Sequence, residues 1–492
     1  MMTRTPLLAL TILSTLLIGS AVSEARTWTQ ASSGKTIEAD FVRLEGDLVV
    51  LSRNGQLAKV PLKQLSQEDQ DFVAEMKKGD GAEDGASSKP VNNGTDWPQW
   101  RGADRSDIAP GDGIMDKWPA DGPKQLWVYS DAGMGYSSFS VVGGKLFTMG
   151  TREQDLCVIC VNTEDGKEVW STKIGEDDEK GYNAGWGNGP RSTPTFSDGM
   201  IYALGPKGTL ACLSAEDGKE KWSKNLESDF GGKPGGWGFA ESPLIDGDKV
   251  VMAPGGKDAG IVALNKETGA TIWKADDVTP GNAEYASIIP TEMNGKRQYV
   301  RLFAQELVSV DAETGDVLWK SEWPGKTAVI PTPIVDGNQV YVTSGYGVGC
   351  KLVEIGEDNL AKDLWENKEM KNHHGGVVKI GDHVYGFSDG GGLICQDWTS
   401  GDMVWNEKGA GKLIKGATIG VGDQLICLNE DDGTVSLVDA TPKGFELHGQ
   451  FEISPKSENR NPKGKIWTHP VVVDGKLFLR DQEHIVAYDV KG

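Results

Sequence analysis

Beyond residue 25 no segment approaches the ~18 consecutive apolar residues of a membrane-crossing helix, so the processed chain offers no transmembrane span. Basic residues are scarce: 50 Lys plus Arg stand against 72 Asp plus Glu, a formal net charge of −22. Such a chain repels phosphate backbones, and no basic stripe offsets the repulsion, which argues against a nucleic-acid partner. Histidine and cysteine number only six each. No two cysteines are adjacent, no His follows the Cys157-x-x-Cys160 pair to make a haem-attachment site, and no second pair completes a zinc set. No Ser nucleophile elbow, phosphate loop or retaining-glycosidase carboxylate pair is identifiable by motif.

Glycine and tryptophan are abundant instead, at 65 and 16. No three-residue glycine period exists, which excludes collagen, and 38% apolar residues exclude low-complexity disorder. Glycine among Val, Ile, Leu and Trp points to many short strands joined by tight turns.

The first 25 residues read as a cleaved secretory signal. Arg4 gives the positive start, Pro6 to Ile18 the apolar run, and Ser23 with Ala25 the small residues before Arg26. No cysteine stands in lipobox position, so a lipid anchor is not expected. The mature chain is therefore expected to be soluble and exported, periplasmic or extracellular. Its cysteines do not read as a disulfide framework. Cys160, Cys212 and Cys395 each lie six residues before a turn glycine, where other copies of the pattern carry Ala263 and Ser309. A slot shared by Cys, Ala and Ser is a small-residue packing slot. Cys157 and Cys160, three apart on a strand, should point to opposite faces.

Residues 26–77 form a small unit of strands at Thr36–Leu44, Leu48–Ser52 and Leu57–Val60, with Gly46-Asp47 and Asn54-Gly55 as turns. Ser66 followed by Asp69 predicts the N-cap of a short helix running to about Met76. Residues 78–95 are Gly, Asp, Ser, Asn, Lys and Pro with almost nothing apolar, a flexible linker.

Residues 96–492 repeat. Trp170, Trp222, Trp273, Trp319 and Trp405 each follow a turn glycine by four residues (Gly166, Gly218, Gly269, Gly315 and Gly401). A two-residue turn needing positive φ would place each Trp at one fixed site on the outgoing strand. A second turn signal, such as Asp198-Gly199 or Asp336-Gly337, precedes an apolar strand in eight copies spaced about 41 to 55 residues apart. That period belongs to a β-propeller with four strands per blade. The last copy lacks a Trp strand, whereas an orphan one, at 125–129 around Trp127, precedes the first. Pairing the two closes an eight-bladed ring and hides two edges. A seven-bladed count requires discarding the weak repeat around Leu425 to Leu437.

The run Val310-Asp311-Ala312-Glu313-Thr314-Gly315-Asp316-Val317-Leu318-Trp319 resembles the pyrroloquinoline-quinone (PQQ) repeat of quinoprotein alcohol dehydrogenases and BamB-type assembly scaffolds. Trp97-Pro98-Gln99-Trp100-Arg101-Gly102, Asn372-His373-His374-Gly375-Gly376, Phe387-Ser388-Asp389-Gly390-Gly391-Gly392 and Leu479-Arg480-Asp481-Gln482 resemble exported PQQ-like propellers of planctomycetes. Residues 26–77, from Arg26-Thr27-Trp28 to Val60-Pro61-Leu62-Lys63-Gln64-Leu65-Ser66-Gln67-Glu68-Asp69, resemble the Sla-one homology domain 1, an SH3-like adaptor module. The dehydrogenase resemblance implies a quinone sandwiched against a Trp and, in one branch, a vicinal disulfide. It also implies calcium held by carboxylate and amide oxygens, with an Asp base. The sequence lacks the disulfide, and no calcium set aligns by motif.

Polar residues gather where each blade's innermost strand begins, facing the axis: Tyr136, Arg191, Glu241, Glu284, Tyr285, His373, His374, Lys415 and His469. Glycine-rich loops at 185–189 and 235–238 add Trp186 and Trp237 at one rim. This arrangement suits a small polar or glycan ligand, and equally a set of polar groups satisfying one another and trapped water. Adjacent strand residues alternate, so at most one of His373 and His374 should face the axis, and no metal site is expected. Glu241 and Glu284 are placed to face each other across neighbouring blades. The expected protein is an exported, monomeric, all-β binding or assembly scaffold: an eight-bladed propeller behind an SH3-like domain, with a protein partner, no catalytic residues and no cofactor. The alternative is a PQQ-dependent oxidoreductase using PQQ and calcium.

Overall fold

A computed structural model describes residues 26–73, apart from 30, 32–34, 46–47, 54–55, 68 and 71. It also describes residues 96–492, apart from 279–280 and 410–411. The signal at 1–25, the linker at 78–95 and the turn dipeptides at 46–47 and 54–55 lie outside the described residues. The chain divides into two compact units, residues 1–87 and 88–492.

The first unit is a four-stranded antiparallel sheet of Arg26–Thr29, Thr36–Glu45, Leu48–Arg53 and Gln56–Pro61, paired in sequence order. Its core gathers around Trp28, Val49, Leu51, Leu65 and Val73, and the Trp28 indole donates to Ala39 O at 2.9 Å. Asp69 accepts from Thr29 N at 2.7 Å and from Ser66 Oγ at 2.8 Å, while Ser66 Oγ accepts from Asp69 N at 3.2 Å. That reciprocal cap starts the helical turn and ties it to the first strand.

The second unit is nearly all-β: eight blades of four antiparallel strands each surround one axis, with a short helix at Leu226–Phe230 after blade 2. Blade 1 runs from Ser140 to Glu176, and blades 2 to 6 begin at Thr195, Leu244, Ile289, Ile334 and Val377. Blade 7 is complete, with strands Gly416–Val421, Gln424–Asn429, Thr434–Asp439 and Leu447–Glu452, so the seven-bladed count fails. Blade 8 takes three strands from Val471 to Asp489 and its outermost strand from Lys124–Tyr129, with Val486 opposite Val128. Arg480 spans the seam between blades 8 and 1. Fully buried, it donates to Gln482 O, Met149 O, Ser137 O and Thr148 Oγ1 at 2.6 to 3.1 Å.

The repeated Trp staples each blade to the next. Nε1 of Trp127, Trp170, Trp222, Trp273, Trp365 and Trp405 donates to a carbonyl of the following blade: Thr163, Ala215, Lys266, Ala312, Trp398 and Thr441. The turn glycine is needed twice over. Gly166 has φ +69°, and a Cβ there would lie 2.7 Å from the Trp127 ring; Gly315 stands likewise at 2.6 Å from Trp273. The connection is longer than the two-residue turn its spacing predicts: residues 163–167 separate the strands, closed by Gly166 N to Asn162 O. Trp319 is the exception, donating to Gln298 Oε1 within its own blade; Ala361 stands where blade 5 would need its glycine, four residues before Trp365.

The small slot lies directly across from the Trp, in the pairs Cys160–Trp170, Cys212–Trp222, Ala263–Trp273, Ser309–Trp319 and Cys395–Trp405. All six cysteines are buried and free. Cys157 and Cys160 belong to different core clusters, as strand alternation requires. Burial pushes the Cys160 thiol up to about 12, leaving it a packing group.

Candidate functional site

The axis is plugged by the chain itself. Trp97 makes a two-bond bridge with Val141 of blade 1, and Pro98 O accepts from Phe196 N of blade 2. Arg105, fully buried, donates to Ile288 O, Ser242 O and Pro243 O beside blades 4 and 3, and to Gln99 Oε1. Trp100 Nε1 donates to Thr332 Oγ1 of blade 5, and Arg101 Nη2 to Val377 O of blade 6. Ile108–Ala109 adds a parallel fifth strand to blade 7. The Trp97–Gly102 motif is thus an axial plug. Spacing gave no hint of this; the only signal was a dense run of Trp, Arg and Gly outside the repeat.

A ladder of hydroxyls rings the axis. Thr193 N donates to Ser242 Oγ, Ser242 N to Ser287 Oγ and Ser287 N to Thr332 Oγ1, at 2.9 to 3.3 Å. The sequence carries this signal in blades 2 to 5 alone, as Thr193-Pro194, Ser242-Pro243, Ser287-Ile288 and Thr332-Pro333.

Above the plug lies a blind cup of about 490 Å³. Trp100 and Arg101 belong to its floor, and its wall includes Tyr136, Arg191, Tyr285, His373, His374, Trp467 and His469, with Trp186 and Trp237 at the rim. Eight of the eleven candidate residues therefore converge. The two glycine-rich loops pack closely on tyrosines. Tyr136 Oη donates to Trp186 O at 2.8 Å, Trp237 N donates to Tyr285 Oη at 3.2 Å, and a Cβ at Gly187 or Gly235 would overlap those tyrosines.

Three candidates are absent from the wall. Glu241 and Glu284 do not face each other in the channel; both flank the buried Arg301. Glu241 Oε2 accepts from Ala253 N at 2.8 Å and lies 4.0 Å from Arg301, and Glu284 Oε2 accepts from Val329 N at 2.9 Å. A fully buried carboxylate must spend its lone pairs this way. Burial pushes the Glu241 carboxyl up, against the pull of Arg301 and Arg105. Lys415 stands behind the wall, 2.8 Å from Asp389 and 2.7 Å from His373 Nδ1.

Both histidines of the pair line the cup, because residues 371–376 are loop rather than strand and alternation does not apply. Their rings are 4.6 Å apart. Lys415 can only donate, so His373 Nδ1 is the acceptor and Nε2–H donates to Tyr346 Oη at 2.8 Å. Burial, with His374 and Lys415 beside it, pulls His373 down to about 3. Its ring is therefore neutral through the physiological range, and an unfolded chain would take up that proton below the ordinary 6.5. This contribution costs stability as pH falls from about 6.5 toward 3. The His373 ring signals in NMR are expected to stay flat from pH 8 to roughly 5; a midpoint near 6.5 would contradict the Lys415 contact. His374 Nε2 pairs with Glu430 at 2.9 Å.

The lining does not fit a quinone–calcium centre. Its only charged side chains are Arg101 and Arg191 apart from the histidines, and it contains no carboxylate or side-chain amide to ligate calcium. Arg191 stacks over Tyr136 at 5.2 Å and Tyr182 at 5.8 Å, donates to Gly187 O and Gly189 O, and forms no ion pair among the described residues. Among the described residues the one His–carboxylate cluster with metal-like spacing, Asp439, Glu446 and His448, lies in blade 7 away from the cup.

Trp-stapled blades closing around a plugged axis define an eight-bladed propeller of the PQQ-repeat class. A family model described as outer membrane protein assembly factor BamB matches residues 154–407, just over half of the chain, and the chain belongs to that family. A second model, SLA1 homology domain 1, matches residues 19–80. Among relatives, the outer membrane protein assembly factor BamB of Burkholderia pseudomallei is 26% identical over 357 residues, covering 63% of this chain and 86% of its own. In solved structures, BamB from Moraxella catarrhalis aligns with TM-score 0.53 at 16% identity, covering 74% of this chain and 97% of that one. The quinohemoprotein alcohol dehydrogenase of Comamonas testosteroni aligns at 0.59 and 13%, covering 81% of each. These last two likenesses establish the fold.

Proposed function

We propose that this chain is an exported, monomeric and non-catalytic assembly scaffold of the cell envelope. In this reading the propeller supplies the partner surface, residues 26–77 act as a protein-binding adaptor, and the cup is a small-ligand site. The observation that carries the reading is the filled axis: the plug leaves a blind cup without a carboxylate in its wall, in a chain of the BamB family. Relatives named for outer membrane protein assembly support both the scaffold role and export. Among the described residues no helix is long and apolar enough to cross a membrane.

Deleting the gene is expected to lower outer-membrane protein levels in the cells that make it. The full chain restores them, and a chain lacking residues 26–77 restores them incompletely. Unchanged levels on deletion would contradict the assembly role, and full rescue by the shortened chain would remove the adaptor from it.

A further inference from the structure

In blades 2, 3, 5 and 8 the position five residues before the inner hairpin turn carries a side chain with a polar group: Thr193, Ser242, Thr332 and His469. Blade 6 carries Gly376 there, with φ +71°. A Cβ on Gly376 would lie 3.0 Å from His469 Cε1, 3.3 Å from Arg101 Nη1 and 3.6 Å from Asp107 Oδ2. Those last two residues and His469 supply three of the buried polar atoms without a hydrogen-bond partner: Arg101 Nη1, Asp107 Oδ2 and His469 Nδ1. Arg101 Nη1 and His469 Nδ1 stand 3.6 and 3.7 Å from Asp107 Oδ2, too far to bond it directly. All three residues are at least nine-tenths buried, and Arg101, His469 and Gly376 line the cup.

His469 Nε2 donates to the His374 carbonyl at 3.1 Å. The three unpartnered atoms are themselves buried, and Gly376 keeps Arg101 and His469 at the floor of the cup, where a Cβ would crowd both. The wall above this notch supplies hydroxyl partners. Ser242, Ser287 and Thr332 use their oxygens to accept backbone or indole N–H groups, leaving their own hydrogens to donate. Tyr346 Oη accepts from His373, so its hydrogen is likewise available. Arg191, without an ion-pair partner, provides the site for an anion, and aromatic rings flank the space between.

We propose that the cup binds a sugar acid: one pyranose ring whose apolar faces lie against the aromatic wall, with its hydroxyls on Ser242, Ser287, Thr332 and Tyr346 and its carboxylate on Arg191. The proposal deepens the ligand-site part of the function above and is independent of the assembly role. A flat aromatic acid would match the rings and Arg191 but would leave the several wall hydroxyls without partners.

Calorimetric titration of the full chain with galacturonate, galactose, cyclohexanecarboxylate and 4-hydroxybenzoate tests it. Galacturonate is expected to bind tightest, with galactose about ten- to a hundredfold weaker for want of the charge-assisted bonds. Arg191→Gln should erase that preference, and Tyr346→Phe should weaken galacturonate several-fold while leaving cyclohexanecarboxylate unchanged. Trp186→Ala, at an exposed rim position, should weaken galacturonate in a chain whose melting is unaltered. Equal affinity for galacturonate and galactose, no binding of either, or preference for 4-hydroxybenzoate would overturn the proposal. Loss of galacturonate binding with outer-membrane protein levels intact would separate this site from the assembly role.

Discussion

Arg480→Ala is expected to destabilise the propeller by roughly 3–5 kcal/mol, the range for stripping one partner from a buried charged network. Its guanidinium is wholly buried and donates to Gln482 O at 2.6 Å, Met149 O at 2.7 Å and Thr148 Oγ1 at 3.0 Å. It also reaches Ser137 O and Gly133 O at 3.1 Å and Ala132 O at 3.3 Å. Burial brings its pKa down to about 9, which still leaves it charged at neutral pH. Alanine would leave several carbonyls at the blade 8–blade 1 seam unsatisfied, in the blade whose outermost strand is supplied by Lys124–Tyr129. Arg480→Lys keeps the charge but loses the planar fork, so it should fall between the two. Denaturant unfolding of the three chains measures this, and a loss under about 1 kcal/mol for alanine would contradict the seam role.

The second large effect belongs to the staples. Trp273→Ala is expected to cost about 3–5 kcal/mol, as for other large aromatic deletions in a core. The ring is 8% exposed, stacks on Tyr299 at 6.2 Å, lies against Gly315 and donates to Ala312 O at 3.1 Å. Two blades lose packing and one carbonyl loses its donor. Trp186, 44% exposed at the rim of the cup, is the control, with Trp186→Ala expected within about 0.5 kcal/mol of the parent. Equal melting of the two variants would show that the repeated Trp is not a staple.

The ring was legible because its signals are local and repeated. A glycine turn and a Trp four residues later recur with the period of one blade, and the small slot occupied by Cys160, Cys212 and Cys395 falls directly opposite. The cup was legible in part. Tyr136, Arg191, Tyr285, His373, His374 and His469 precede inner strands, and any residue there lies near the axis. Glu241, Glu284 and Lys415 satisfy the same rule, yet they turn away to Arg301, a backbone amide and Asp389. Position along the strand does not say which way a side chain goes to meet its charge. The plug was illegible for another reason. Residues 96–109 obey no period, and their bonds reach across the propeller, from Arg101 to Val377 and from Asp107 O and Ala109 O to Gly420 N and Gly422 N. The notch depends on that plug, since two of its three orphaned atoms belong to Arg101 and Asp107.

The central claim is that this PQQ-repeat propeller is a plugged scaffold and not a quinoprotein. Adding PQQ and calcium to the purified chain, then following quinone absorbance and alcohol- or sugar-dependent dye reduction, tests it most directly. The account predicts no stoichiometric quinone retained after desalting and no dye reduction. One quinone per chain together with substrate-dependent dye reduction would contradict it.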